Sequence, residues 1–219
     1  MALNNNHALT AEEQALLTPD RIIEILKQGN DDFYNNRLTV KNTMERAREV
    51  VHGQFPMALI LSCLDSRVPV EDIFHCGLGD LLVGRMAGAI ANADMIGGME
   101  YVCTTLRTKL IVVLGHENCG AIRMAIDDFE LGNFTGLLNR IKPTVNKCKI
   151  NYTGETPSTN TEFVDLVCRA TIKQMVQDIR KSSLILKELE EKGELKIIGA
   201  YYNLHSGQVE FFNDSSDTT

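Results

Sequence analysis

The chain has 219 residues, of which 44% are hydrophobic, and its formal net charge is −7. This size and composition predict one sizeable core in a single domain, residues 1–219, and exclude a disordered or fibrous protein. The negative charge and the absence of a Lys/Arg cluster argue against nucleic acid or an anionic membrane as a partner, so they favour a small-molecule substrate.

Segment 1–14 is polar and lacks the apolar core of a signal peptide, and no stretch of the sequence reaches transmembrane length. The chain has six cysteines, at positions 63, 76, 103, 119, 148 and 168. In a long chain without a secretory leader, cysteines are more often reduced thiols used for catalysis or metal binding than disulfides. We therefore expect a cytoplasmic protein with no membrane partner.

Residues 1–40 predict an amino-terminal helical arm, of which 1–14 is expected to be frayed. Thr18-Pro19-Asp20 supplies an N-cap residue, a proline at the first helical position and an acid in the first turn. The apolar residues that follow share one side of a helix: Ile22, Ile23, Leu26 and Phe33. This stripe must pack on the main body or on a second subunit. A second helix is predicted over 42–52.

The region 57–130 is expected to form the core around the functional site. Apolar runs at 57–61 and 110–114 predict strands that are buried in a parallel sheet, and 80–83 predicts a further strand between them in the sequence. Helices are predicted from Pro69, over 95–106 and over 118–130, which gives the order βαβαβα. The glycine- and alanine-rich segment 84–98 contains no phosphate-binding motif, so close packing of a helix on the sheet is the better interpretation.

The remaining residues predict helices over 134–150, 162–179 and 184–189, with an exposed loop at 151–160. A strand over 195–204 then turns at His205-Ser206-Gly207 into a short partner that ends at Phe212. Segment 161–212 thus supplies the carboxyl-terminal helices and the last strand pair, and 213–219 is a polar tail. The predicted fold class is α/β, with a central mostly parallel sheet of four parallel strands plus a carboxyl-terminal antiparallel strand, flanked by helices.

Residues that bind metals follow two of these strands. Cys63 follows the first, and His116 and Cys119 lie three residues apart where another strand turns into a helix. A lone cysteine at the end of a buried strand is usually an inert hydrophobic residue, and a lone histidine after a strand is usually a hydrogen-bonded turn residue, so the prediction depends on the combination. Two thiolates and an imidazole suit zinc, and three protein ligands leave a position open for water. A structural zinc would normally need a fourth Cys or His, and Cys76 and Cys103 stand in no paired spacing. The pattern therefore favours catalysis, with a structural zinc as the alternative.

Asp65 and Arg67 lie two and four residues beyond Cys63. In extended geometry their side chains would leave on the same side as the ligand. A carboxylate beside a metal-bound water can accept its proton. Arg67, bidentate to Asp65, would keep that carboxylate ionised and off the metal. A surface ion pair is the plainer alternative.

The sequence Cys-x-Asp-Ser-Arg at 63–67, followed by His-x-x-Cys-Gly at 116–120, resembles the β-class carbonic anhydrases. The resemblance covers most of the chain. It implies that Cys63, His116 and Cys119 bind one Zn²⁺ per chain, and that Asp65 and Arg67 form the catalytic dyad. It also implies homodimers, or dimers of dimers, with the site at the interface.

The resemblance extends to the substrate pocket. Gln54 and Tyr101 fall where one branch of the family has pocket residues, and Gly120 falls where a backbone amide helps to hold substrate. Two positions differ from the family: Leu82 stands where a pocket phenylalanine is common, and Ala89 where asparagine is frequent. These differences concern the shape of the pocket and not the metal site.

The implied activity is the reversible hydration of carbon dioxide to bicarbonate and a proton, by attack of zinc-bound hydroxide. Two thiolates cancel the formal charge of zinc, so we expect the pKa of its water to lie above the ~7 of the three-histidine class, and activity to favour alkaline pH. Hydrolysis of carbonyl sulfide or carbon disulfide on the same site is the alternative enzyme. A zinc-binding or thiol redox module without turnover is a further alternative, against which the Asp65–Arg67 dyad argues.

Some relatives in this family are inhibited by bicarbonate in a second pocket, which uses a tryptophan just before the first zinc cysteine, an arginine on the next strand and a distant tyrosine. Arg85 could supply the arginine. The chain has no tryptophan, and Ile60 stands at the corresponding place. We therefore expect Asp65 to stay paired with Arg67 near neutral pH, and bicarbonate to inhibit only as an ordinary product.

Overall fold

A five-stranded sheet lies at the centre of this computed structural model, which describes residues 7–39 and 43–212. Its strands are β1 (Ala58–Ser62), β2 (Leu81–Arg85), β3 (Leu110–His116), β4 (Lys196–Tyr202) and β5 (Val209–Phe211). Their order is β2-β1-β3-β4-β5; β1 to β4 are parallel, and β5 is antiparallel to β4. The predicted fold class is therefore confirmed.

Helices cover both faces of the sheet. They are α1 (Ala11–Leu16), α2 (Pro19–Tyr34), α3 (Thr43–Glu49), α4 (Val70–Ile73), α5 (Ala93–Thr104), α6 (Gly120–Ile126), α7 (Gly132–Asn151), α8 (Thr161–Ser182) and α9 (Leu184–Glu191), with a short 3-10 helix at Ala87–Ala89. Within the described ranges, no helix has the length and apolarity that crossing a membrane requires.

The core is divided by the sheet into two clusters, because successive side chains of a strand point to opposite faces. Leu59 and Leu61 of β1 belong to the larger cluster, which is covered by α5 to α9. Ala58 and Ile60 belong to the smaller one, which is covered by α2 and α4. Strands β1 and β3 are buried throughout, which explains their continuous apolar sequences.

Helix α2 packs on the sheet of its own chain. Ile22 and Leu26 are fully buried in the smaller cluster, and the predicted N-cap is confirmed because Thr18 Oγ1 accepts a hydrogen bond from the Arg21 amide at 3.2 Å. The Asn30 side-chain amide donates to the carbonyls of Ile73 (3.2 Å) and Gly207 (2.9 Å). The apolar stripe of the arm thus packs on the main body, with Ile23 and Phe33 half-buried against the same cluster.

Three predicted boundaries were wrong. Residues 11–14 are not frayed, because Thr10 and Glu13 form a capping box that starts α1. Strand β3 runs past residue 114 to His116, since β4 continues to pair with it as far as Tyr202. Helix α6 is shorter than the predicted 118–130. The predictions for residues 1–6, 42 and 213–219 lie outside the described part of the chain.

Candidate metal centre

Three side chains converge at the carboxyl-terminal edge of the sheet. Cys63 follows β1, His116 is the last residue of β3, and Cys119 is the N-cap residue of α6. Because β1 and β3 are neighbours, their ends meet, and the possible ligand atoms of the three residues all lie within 4.8 Å of one another. The two sulfur atoms are 3.9 Å apart, and all three residues are buried.

His116 is held in one orientation and one tautomer. Its Nδ1 lies 2.8 Å from the carbonyl oxygen of Glu117, so in the neutral ring Nδ1 carries the proton and Nε2 is the acceptor. Nε2 is buried and has no hydrogen-bond partner. A buried acceptor without a partner is costly in a folded protein, but it is what a metal-binding histidine presents.

The two thiols share their ionisation. A hydrogen bond from Cys119 lowers the pKa of the Cys63 thiol, burial opposes this, and the backbone amides of Asp65 and Gly88 lower the pKa further. The same hydrogen bond, together with burial, raises the pKa of Cys119. A buried donor set of two sulfurs and one nitrogen, with one sulfur already disposed to be a thiolate, fits zinc.

Asp65 is bound to Arg67 beside these ligands. Arg67 Nε donates to Oδ1 at 2.9 Å, Nη2 donates to Oδ2 at 2.7 Å, and the Arg67 backbone amide donates to Oδ1 at 2.9 Å. These bonds hold the pKa of the Asp65 carboxyl well below its usual range. Asp65 Oδ2 lies 3.9 Å from His116 Nε2, so the carboxylate stands at the rim of the ligand group.

The local backbone here differs from the expectation. Residues after Cys63 form a turn, in which the Val68 amide donates to the Asp65 carbonyl at 3.2 Å, and not the extended segment that was predicted. Asp65 and Arg67 meet because the turn folds one back over the other. The pair is the one expected, but the geometric reason for it was wrong.

Arg85 has a role that sequence reasoning missed. Its Nε donates to the Cys63 carbonyl at 2.9 Å, and its Nη2 donates to the Asp65 carbonyl. The guanidinium of β2 therefore fixes the turn that carries a candidate ligand and the carboxylate. The information lies in the sheet register, which places Arg85 opposite Ser62, and no local pattern in the sequence reveals it.

Gln54 precedes β1 and therefore lies at the amino-terminal end of the parallel strands, opposite the end where the ligands meet. It is exposed, and nearby Pro56 accepts a hydrogen bond from the Thr108 hydroxyl, which precedes β3. The five residues of β1 separate this edge from Cys63, about 16 Å at ~3.3 Å per residue. Gln54 therefore cannot reach the candidate site of its own chain.

The other predicted pocket residues lie in varied surroundings. Gly120 is the first residue of α6, next to Cys119, and is exposed. Leu82 is half-buried in β2 and packs on the larger core cluster, while Tyr101 on α5 is 56% exposed. Ala89 is buried with a φ of 54°, a backbone conformation that asparagine tolerates better than alanine. Roles in substrate binding stay predictions for these residues.

A mostly parallel α/β sheet that gathers two thiols, an imidazole and an arginine-bound carboxylate at one edge defines a candidate metalloenzyme. Comparison with known proteins identifies the family. The family model described as carbonic anhydrase matches residues 58–209. A carbonic anhydrase 2 of Mycobacterium tuberculosis is 32% identical over 190 residues, which are 84% of this chain and 88% of that protein. A carbonic anhydrase of Mycolicibacterium smegmatis is 30% identical over 198 residues, 88% and 92% of the two chains.

Solved structures agree on the fold. One of two tetrameric β-carbonic anhydrases from Sordaria macrospora matches with a TM-score of 0.70 and 19% identity, over 88% of this chain and 97% of that one. A Coccomyxa β-carbonic anhydrase matches with a TM-score of 0.68 and 22% identity, over 93% and 87%. The chain belongs to the β-class carbonic anhydrases, a family of lyases.

Proposed function

We propose that this protein catalyses the reversible hydration of carbon dioxide to bicarbonate and a proton, with one zinc ion held by Cys63, His116 and Cys119. The observation that carries the proposal is the convergence of these three ligand atoms within 4.8 Å, with His116 Nε2 buried and unpartnered among them. Membership of the family supplies the substrate class.

Bound zinc would supply Lewis acidity, which lowers the pKa of a water molecule and makes a nucleophile available near neutral pH. The chain supplies orientation. Glu117 holds His116 Nδ1, so Nε2 keeps its lone pair directed into the site. Gly120, at the start of α6, presents a backbone amide close to Cys119 that can donate to a substrate oxygen.

Asp65 and Arg67 are placed to orient the attacking water. The carboxylate is ionised at any pH at which the enzyme works, because Arg67 donates to both of its oxygens. Asp65 can therefore accept a hydrogen bond from the attacking water and fix its direction toward carbon dioxide. By binding both oxygens, Arg67 also keeps the carboxylate from becoming a further ligand of a zinc ion that these residues would hold.

The direct test measures carbon dioxide hydration by stopped flow with a pH indicator, and in parallel measures sulfide release from carbonyl sulfide. We expect hydration by the zinc-loaded protein. Asp65→Asn should keep its zinc and lose activity by a factor on the order of 10²–10⁴, the usual contribution of a positioned acid–base group. Zinc-loaded protein that releases sulfide and does not hydrate carbon dioxide would refute the proposed substrate.

We propose further that the working unit is a homodimer, alone or paired into a tetramer, in which Gln54 serves the site of the neighbouring copy. Its position at the far edge of its own sheet supports this, as does the tetrameric assembly named for the Sordaria relatives. The test mixes Gln54→Ala and His116→Ala chains. Each variant alone should be impaired, and mixed dimers should recover one working site. If the activity of the mixed chains did not exceed the summed activities of the two variants measured separately, the proposed role of Gln54 would be refuted.

We also propose that residues 1–219 act as one domain in the cytoplasm, with all six cysteines reduced. The proposal is supported by the placement of all six as buried residues outside any disulfide in the described part of the chain. Thiol titration of denatured protein, taken directly from a cell extract and blocked at once, should count six thiols. A lower count would contradict the proposed compartment.

A further inference from the structure

Helix α8 rests directly on the strand that carries His116. Cys168 and Ile172 lie one turn apart on α8, and both lie over Gly115, the residue before His116. A methyl group placed on Gly115 would lie 2.5 Å from Ile172 Cδ1 and 3.2 Å from Cys168 Sγ. Because a side chain at Gly115 would clash, its absence lets α8 approach the strand backbone closely and hold it there.

The peptide group after His116 is held from two sides. The Glu117 amide donates to the Tyr202 carbonyl on β4 at 2.9 Å. In a trans peptide the carbonyl points the opposite way, so the His116 carbonyl points toward β1. Strand β1 has already ended there, since its last residue, Ser62, pairs with Leu114. Cys168 Sγ, 3% exposed, donates to this carbonyl at 3.4 Å.

We propose that Cys168 is a positioning residue for the metal centre: its thiol fixes the His116 peptide and thereby the direction of His116 Nε2. The inference rests on the proposed zinc site. Cys168 takes no part as a ligand, because its thiol is engaged with a carbonyl and the group of ligand atoms within reach of one another consists of Cys63, His116 and Cys119.

The imidazole ring is then oriented from both ends. The contact of Nδ1 with the Glu117 carbonyl sets the ring, and the contact of Cys168 with the His116 carbonyl sets the backbone from which the ring projects. Groups that orient a metal ligand from behind typically change metal affinity or activity 10–100-fold when they are removed. A thiol is a weak donor, so the lower end of that range, about tenfold, is expected here.

The experiment measures zinc affinity by competition with a chromophoric chelator. Cys168→Ala removes the donor and the volume, Cys168→Val removes the donor and keeps the volume, and Cys168→Ser keeps a donor. Cys103→Ala is the matched control, because Cys103 is a buried thiol on α5, 6% exposed, and no hydrogen bond joins it to the ligand group in the described ranges. Absorption spectra of the Co²⁺ forms report the ligands independently of activity.

Both Cys168→Ala and Cys168→Val should bind zinc about tenfold more weakly than the parent. Cys168→Ser should recover part of the loss, and Cys103→Ala should match the parent. Thiolate-to-cobalt absorption should keep its intensity in all variants, while the d–d bands shift in those that lack a donor.

Three results would overturn the inference. These are parent-like zinc affinity in Cys168→Ala and Cys168→Val, an equal loss in Cys103→Ala, and a loss of thiolate-to-cobalt intensity without Cys168, which would make it a ligand. Failure of the parent itself to bind zinc would instead refute the proposed function, so the two failures are distinguishable.

Discussion

The three candidate ligands differ in what holds them. His116 lies within a paired strand, whereas Cys63 and Cys119 lie just outside regular structure, at the end of β1 and the start of α6. All three side chains are buried, so each is positioned by contacts with the surrounding protein and not by solvent. Removing any one leaves two protein ligands, too few for a stable zinc site.

Cys63→Ala, His116→Ala and Cys119→Ala are therefore each expected to lose both bound zinc and carbon dioxide hydration. Elemental analysis of the purified proteins measures the metal. Cys148→Ala, which removes a buried thiol on α7, is the matched control and should keep one zinc per chain. Full zinc content in all three ligand variants would show that the metal binds elsewhere.

The Asp65–Arg67 pair predicts a pH dependence of stability. Because Arg67 holds the pKa of Asp65 below its usual value, the ionised pair stabilises the folded state above the unfolded pKa of about 3.9, and this contribution is lost as the pH falls toward the folded pKa. Arg67→Gln should thus lower the free energy of unfolding by a constant amount well above about pH 4, and the difference from the parent should shrink below it.

Urea unfolding of the metal-free proteins across this pH range measures the effect. Arg123→Gln, a change of an exposed arginine on α6, is the control and should show no such trend. The pairing would be wrong as a source of stability if Arg67→Gln differed from the parent by the same amount in acid as at neutral pH.

At the scale of elements, sequence patterns predicted what depends on local order. The apolar runs gave β1 and β3, and Thr18-Pro19 gave the start of α2, because burial and capping leave periodic and residue-specific traces. The end of β3 was missed, since it depends on pairing with β4, about 85 residues later in the chain. Arg85 and Cys168 were missed as supports of the site for the same reason: each acts on a backbone carbonyl brought near by the fold.

Helix α3 is attached to the body by a buried ion pair. Arg46 and Asp80 have side chains 1% and 2% exposed, and Nη2 lies 2.5 Å from Oδ1. The same guanidinium donates to the carbonyls of His7 (2.6 Å) and Leu78 (3.1 Å). Such a pair adds little net stability over apolar residues, but breaking it leaves a charge buried.

Arg46→Met is expected to lower the free energy of unfolding by about 3–5 kcal/mol, the cost of leaving Asp80 without its counter-charge. Arg48→Met, an exposed change on the same helix, should stay within about 0.5 kcal/mol of the parent. Urea denaturation measures both. A loss below about 1 kcal/mol for Arg46→Met would contradict this expectation. It would mean that hydration or protonation of the Asp80 carboxylate compensates for the missing guanidinium.

At the scale of the whole molecule, the parallel sheet explains where the chemistry lies. Strands β1 and β3, which lead to the ligands, both end at the carboxyl-terminal edge of the sheet, whereas Gln54 lies at the amino-terminal edge. The α/β fold followed from the apolar runs and the helices predicted between them, and the family followed from two short motifs, whereas the separation of Gln54 from the ligands required the structure. That separation is what makes a second copy of the chain part of the proposed site.

The surroundings of Ile60, Arg85 and Asp65 bear on regulation by bicarbonate. Ile60, where some relatives have the tryptophan of an inhibitory pocket, is fully buried in the smaller core cluster and has no hydrogen-bond donor in its side chain. Arg85 is engaged with the carbonyls of Cys63 and Asp65. Asp65 is bound by Arg67 at both oxygens. The groups that such a pocket needs are thus absent at position 60 or already occupied.

We therefore expect bicarbonate to inhibit hydration only as a product, with initial rates that fall hyperbolically and without cooperativity as its concentration rises. A crystal of the zinc-loaded protein grown near neutral pH should show Asp65 on Arg67 and away from the metal. The physical reason is that a bound bicarbonate would have to displace Arg85 from two carbonyls and would gain no donor from Ile60. Steeply cooperative inhibition, together with Asp65 coordinated to zinc in that crystal, would show that bicarbonate regulates the enzyme without the tryptophan.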